Sequence, residues 1–183
     1  MKEYITTIGP LLANFKRVKV HRSTIYKVRD MVPKILGLAN LNEMRDKYEG
    51  ERFHENFSGK ILSAFSLGKY LKQNFIDIDG DNYNIKYKPS LDALGLKLDI
   101  NYSYYGNFHF VPKKPLRPEI LIIRKNEHEF LICGFASIKT LKEYQEESKN
   151  SLTSDLIGYG VFNGYEHLNR FESIEDLEAL TAG

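Results

Sequence analysis

Leu94-Gly-Leu-Lys-Leu-Asp-Ile-Asn-Tyr-Ser103 alternates apolar and polar residues with a period of two. Leu94, Leu96, Leu98 and Ile100 fall on one face, and Lys97, Asp99 and Asn101 on the other, the pattern of a half-buried strand. The polar face gathers a cation, a carboxylate and an amide within five residues, directly after an acid-rich turn region. Such a face is suited to holding a divalent cation beside a phosphodiester. The rest of the fold follows from what precedes and follows this strand.

Upstream, Asn14 to Arg22 alternates cationic and apolar residues, and Ser23 then caps a helical pattern that Pro33 is expected to kink or end. A short helix is expected over 41–48 and a longer one from about Ser58 to Phe75. In the longer one Ile61, Ala64, Phe65, Gly68, Leu71 and Phe75 form one stripe. After Asp77-Ile-Asp-Gly-Asp81 the period becomes strand-like over Tyr83 to Lys88. Asp77 to Asp81 has the start of a calcium loop, but Lys88 stands where the twelfth-position Glu would be.

Downstream, Phe108 to Val111 is a further strand, followed by a rigid loop in which Pro112, Pro115 and Pro118 flank Lys113, Lys114 and Arg117. Glu119 to Arg124 and Glu129 to Phe135 are nearly continuous apolar runs and read as central strands buried on both faces. Ser137 is placed to cap a helix over Ile138 to Glu147. A strand at Leu156 to Phe162 follows, then a helix from Ser173, with Ser173 and Asp176 at capping-box spacing. Helices, a strand meander, a helix and a short tail indicate an α+β protein with a mixed central sheet flanked by helices.

The chain has 183 residues, enough for one sizeable core. Residues 1–50 are expected to form a basic helical segment packed on a core of residues 51–183, in one domain overall. Hydrophobic residues at 42% and charged residues at 27% exclude a disordered chain. No stretch approaches the roughly 20 apolar residues of a bilayer span, and the N-terminus has no long apolar run. The single cysteine, Cys133, lies in an apolar run and excludes an intrachain disulfide, so a cytoplasmic protein with a buried thiol is expected. Net charge is only +2 but polarised: residues 1–34 carry eight Lys and Arg against two acids, and residues 143–183 carry nine acids against two Lys and Arg. The basic end suits phosphate binding. The five His lack metal-ligand spacing, and no glycine-rich loop follows a strand, which argues against zinc chemistry and nucleotide hydrolysis.

With helix Gly59 to Leu71, strand segment Lys97-Leu-Asp-Ile-Asn101, and the run Pro118 to Arg124 with Phe130 to Ser137, the sequence resembles the PD-(D/E)xK, restriction-endonuclease-like nucleases, particularly small phage-encoded members. The resemblance covers about residues 55–145. It implies a restriction-endonuclease-like fold and an Mg²⁺-dependent, or Mn²⁺-dependent, DNA endonuclease. Asp99 would be the principal metal ligand and Asp92 the second, unless Asn84 holds that strand position. Lys97 and Asn101 would position the attacking water. Arg17, Lys19, Arg22, Lys113, Lys114 and Arg117 would bind DNA phosphates. A homodimer or a host protein is a further partner consistent with the resemblance, and no membrane role is expected. The chain departs from the family at Ser63, where the helix carries Glu, and at Asn101, where the strand carries Lys; Glu55 is a substitute for the helix acid. These departures leave a catalytically inactive nuclease-fold protein, binding DNA or a host protein, as the alternative.

Overall fold

The apolar runs Glu119–Arg124 and Glu129–Ala136 form β4 and β5, the two central strands of a four-stranded mixed sheet. In this computed structural model, which describes residues 2–35, 47–76, 89–147 and 158–182, the sheet order is β1-β5-β4-β2. Strand β1 is Lys16–Lys19 and β2 is Asp99–Tyr104. Strand β1 runs antiparallel to β5 and β5 to β4, while β2 runs parallel to β4. Both central strands are buried on both faces, as their unbroken hydrophobicity requires.

One face is covered by α2 (Arg22–Ile35) and α3 (Lys47–Leu71). Ile25, Val28 and Met31 of α2 and Phe57, Ile61 and Leu67 of α3 meet Leu98, Ile100, Ile120, Ile122 and Phe130 there. The basic N-terminal segment is therefore built into the main sheet and its core through β1 and α2. The opposite face carries Leu121, Ile123, Leu131 and Cys133. It is covered by α1 (Lys2–Ile8) and by a second sheet of order β3-β7-β6, made of β3 (Phe110–Pro112), β6 (Gln145–Glu147) and β7 (Tyr159–Phe162). Helix α4 is Ile138–Glu143 and α5 is Ile174–Ala182.

Two local devices fix the sheet and its flanking helices. Pairing passes from Leu121 opposite Gly134 to Ile122 opposite Ile132, so Cys133 is the extra residue of a bulge. Gly134 has φ +144°, and a Cβ there would lie 2.8 Å from the Asn169 carbonyl oxygen, which leaves room only for glycine. Ser137 caps α4 by accepting the Thr140 N–H at 3.1 Å. At α5 the Asp176 carboxylate accepts the Glu172 and Ser173 N–H groups, and Ser173 Oγ accepts the Asp176 N–H at 3.2 Å, the reciprocal arrangement of a capping box.

Several elements depart from the sequence expectation. Pro33 lies inside α2, two residues before its end, instead of terminating it. A proline cannot donate to the carbonyl four residues back, and that carbonyl, of Arg29, is bonded instead by His54 Nε2 at 2.8 Å. Helix α3 begins at Lys47, eleven residues earlier than expected, and ends at Leu71. Buried Ser63 and Ser66 within it bond the Gly59 and Ser63 carbonyls, so polar residues interrupt its apolar stripe without breaking it. Strand β2 starts only at Asp99, because Gly95 at φ +78° closes a 3-10 turn over Asp92–Leu94. Helix α4 is shorter than expected, its last residues forming β6, and α1 was not anticipated. The expected strand 83–88, the Asp77 to Asp81 turn, Asn84 and most of the helix 41–48 lie outside the described residues. Among the described residues no helix is long and apolar enough to cross a membrane.

Candidate functional site

The parallel pairing of β2 with β4 sets Asp99 opposite Glu119 and Asn101 opposite Leu121. Because side chains alternate across a strand, Leu98 and Ile100 enter the helix-covered core while Asp99 and Asn101 take the other face, as the sequence alternation implies. That face is less open than an outward strand face. Asp99 is 8% exposed and Glu119 1%. Asn101 Nδ2 donates to Glu119 Oε2 at 2.7 Å and to the Phe110 carbonyl at 2.8 Å. The Asn101 amide therefore ties β2 to both β4 and β3.

Asp92 reaches the same place through a tight return of the chain. Leu91 N–H donates to the Leu98 carbonyl, Gly95 N–H to the Asp92 carbonyl and Ile100 N–H to the Pro89 carbonyl, folding residues 89–98 back onto the start of β2. Ser90 Oγ donates to Asp92 Oδ2 at 2.9 Å. Asp92 and Asp99, seven residues apart, thus face a common centre.

That centre is filled by Arg117. Its Nη2 pairs with Asp92 Oδ1, and its Nη1 lies 3.4 Å from Asp92 Oδ2 and 3.3 Å from Asp99 Oδ1. Donating to the Asp92 carboxylate raises the Arg117 pKa above its ordinary value, burial opposes this, and the charge of Asp99 adds to it. The guanidinium is fixed by the chain itself, since Arg117 is one residue from Pro118, whose carbonyl accepts the Asp99 N–H at 3.1 Å. Lys97 is exposed and lines the same cleft, of about 360 Å³, with Asp92, Leu116, Arg117, Pro118 and Thr181.

The residues expected to bind phosphate separate into groups. Arg17 and Lys19 lie on β1, at the sheet edge opposite β2. Arg17 is 3.7 Å from Glu129, and Arg22 at the start of α2 donates to the Tyr26 hydroxyl at 2.7 Å and stacks over its ring. Lys113 and Lys114 are exposed in the loop after β3, and Arg117 is held in the acidic cleft. Ser63 is buried in α3, while Glu55 is exposed and lines a different cleft with Arg29 and Arg124.

Glu119 was not singled out from the sequence. Its only signal there was position: an acid at the first residue of an otherwise apolar strand, behind a proline. Register, which turns it into a neighbour of Asp99, is not written locally.

Mg²⁺ takes one or two carboxylates plus waters in octahedral geometry. Asp92 and Asp99 share one guanidinium, and Glu119 accepts from Asn101. Arg117 occupies the place between Asp92 and Asp99 and offsets one of their two negative charges, so with the guanidinium there the arrangement does not suit the ion. Among the described residues no group of three or more His, Cys, Asp or Glu side chains is placed to hold a metal. No family model, curated protein or solved structure matches the chain.

Proposed function

We propose that this chain is a DNA-binding protein on a restriction-endonuclease-like scaffold whose acidic centre is closed by an internal arginine instead of serving phosphodiester hydrolysis. The observation that carries the reading is the Arg117 guanidinium shared by Asp92 and Asp99. Hydrolysis needs carboxylates that can give their charge to a metal, and a Lys beside the attacking water. Here the carboxylates are spent on an ion pair, and Asn101, at the Lys position, is spent on linking strands. The parallel β2 and β4, the β4–β5 hairpin and α4 capped by Ser137 support the scaffold assignment. The exposed cations Arg17, Lys19, Arg22, Lys113 and Lys114 support phosphate binding without base reading.

Mg²⁺-dependent cleavage is the second reading, and one observation favours it: Asp99 and Glu119 stand in register on adjacent strands. The test is DNA binding by fluorescence anisotropy at several salt concentrations, beside plasmid nicking in Mg²⁺ and Mn²⁺. Binding without nicking is expected, and replacing Arg17, Lys19 and Arg22 together by Gln should flatten the salt dependence by roughly 0.7 to 0.9 per lost contact. Absence of binding at low salt overturns the reading. Metal-dependent nicking lost in both Asp99→Asn and Glu119→Gln establishes the second one.

A further inference from the structure

Arg124 ends β4 at the opposite end of the strand from Glu119. In the sheet register it stands between Tyr104 of β2 and Phe130 of β5, and its guanidinium carbon lies 5.7 and 5.9 Å from the centroids of those two rings. The residue is 7% exposed. Its Nε donates to the Asn126 carbonyl at 3.3 Å, and among the described residues no carboxylate lies within ion-pair distance of it. Arginine keeps its charge, so this is a cation buried between aromatic rings with no counter-charge among the described residues. Stacking on two rings offsets only part of that cost.

The guanidinium borders a cleft of about 430 Å³ lined also by Arg29, Glu55, Tyr104, Tyr105, Lys125 and Glu127. The other two cations of the wall have partners: Arg29 lies 3.2 Å from Glu127, and Lys125 3.6 Å from Glu129. With Glu129 behind Lys125 counted, the three cations of the lining face three carboxylates, Glu55, Glu127 and Glu129, so the attraction for an anion is local to Arg124. The ligand complementary to Arg124 itself is an oxyanion able to take the parallel N–H groups of a guanidinium fork. At the rim Tyr105 is 38% exposed, its ring held edge-on by Tyr4 at 5.4 Å and 82°. A fixed, half-open tyrosine beside an arginine that has no carboxylate partner among the described residues is the combination that grips a single strand, by stacking a base while clamping its phosphate.

We propose that this cleft binds one phosphodiester of a nucleic-acid strand, with Arg124 on the non-bridging oxygens and Tyr105 against the adjoining base. The site is separate from the acidic centre and rests on the DNA-binding reading for its biological partner, but its chemistry can be tested without a polymer. The full chain, ¹⁵N-labelled, is titrated with the dinucleotide d(TpT), with thymidine and with acetate, and a single-stranded oligonucleotide is titrated by anisotropy. d(TpT) is expected to move the amide resonances of Tyr105, Arg124 and Lys125, and thymidine and acetate to leave them in place. Arg124→Gln should lower oligonucleotide affinity tenfold or more and reduce the salt slope by roughly 0.7. Tyr105→Ala, at an exposed position, should lower affinity at least threefold with an unchanged melting temperature, and it carries the test if Arg124→Gln does not fold. Unmoved resonances with d(TpT), or equal shifts with acetate, overturn the inference. If the oligonucleotide binds and neither variant weakens it, the inference fails while the DNA-binding reading stands. If no oligonucleotide binds but d(TpT) shifts the cleft, the phosphodiester site stands and the DNA-binding reading fails.

Discussion

Replacing Arg117 by Gln removes the guanidinium that Asp92 and Asp99 share while keeping most of the side chain's volume. The size of the effect follows from exposure. The side chains of Arg117, Asp92 and Asp99 are 31%, 36% and 12% exposed. Breaking a fully buried pair costs about 3 to 5 kcal/mol and an exposed one about 0 to 1, so a cluster with one nearly buried carboxylate falls near 2 kcal/mol. For a chain of this length that corresponds to a fall in melting temperature of about 4 to 8 °C. Adding Asp99→Asn to the Arg117→Gln variant should recover much of the loss, because the unpaired charge goes with it. The same variant distinguishes an internal cation from an obstructed metal site. If Arg117 stands where a divalent ion would, millimolar Mg²⁺ should leave the wild-type melting curve unchanged and raise that of Arg117→Gln by mass action. Thermal melts of the four proteins of the double-mutant cycle, with and without Mg²⁺, give every quantity needed. A wild-type protein stabilised by Mg²⁺ as strongly as the variant, or an Arg117→Gln protein as stable as wild type, would refute the reasoning.

Burial lowers the pKa of His109 from 6.5 to about 4, against hydrogen bonds to the backbone that act the other way. Its Nε2 lies 3.0 Å from the Ile122 carbonyl and so carries the proton, leaving Nδ1 to accept from the Tyr165 hydroxyl at 2.8 Å. Below pH 6.5 the unfolded chain takes up a proton that the folded one refuses, so stability falls as pH drops towards 4, by about 3 kcal/mol in all. Urea titrations from pH 7 to 4 should show this slope in wild type and its loss in His109→Gln; equal slopes would assign the acid sensitivity to other groups. Gly59 of α3 is the second test position, because a Cβ there would lie 2.8 Å from Tyr102 Cε1 on β2. Gly59→Ala should destabilise by roughly 1 to 2 kcal/mol despite alanine's better helix propensity, and Tyr102→Leu should relieve it; denaturant midpoints of the single and double variants decide.

The elements that were legible in the sequence are those whose signal is contained within them. The apolar runs of β4 and β5 announce strands buried on both faces, and Ser137 and Ser173 cap the helices they precede. Boundaries failed where a distant group supplies what the local sequence lacks. Pro33 reads as a helix end because its missing N–H orphans the Arg29 carbonyl, but His54, twenty-five residues on, bonds that carbonyl and lets α2 continue. Helix α3 reads as starting late because its first turns pattern weakly, and Ser63 and Ser66 interrupt its stripe while bonding to their own helix.

The candidate site was half legible for a related reason. Alternation correctly put Asp99 and Asn101 on the face opposite Leu98 and Ile100, since a period of two survives any tertiary context that keeps the strand. What alternation cannot carry is which strand lies alongside. The β2–β4 register makes Glu119 the neighbour of Asp99 and the acceptor for Asn101, and the turn over 92–94 lets Arg117 reach both aspartates at once. Without the register, Arg117 is one more cation in a basic proline-rich loop and Asn101 a degenerate catalytic position. With it, Asp92, Asp99, Asn101 and Glu119 each have a structural partner, while Arg124, buried at the far end of β4 with no carboxylate partner among the described residues, shows in sequence periodicity only as the polar end of an apolar run. A buried charge lacking its counter-ion is costly to keep. Its place beside an open tyrosine is why the proposed phosphodiester site is put at that end of the sheet, while the acidic end, with its carboxylates held by Arg117 and Asn101, serves the framework.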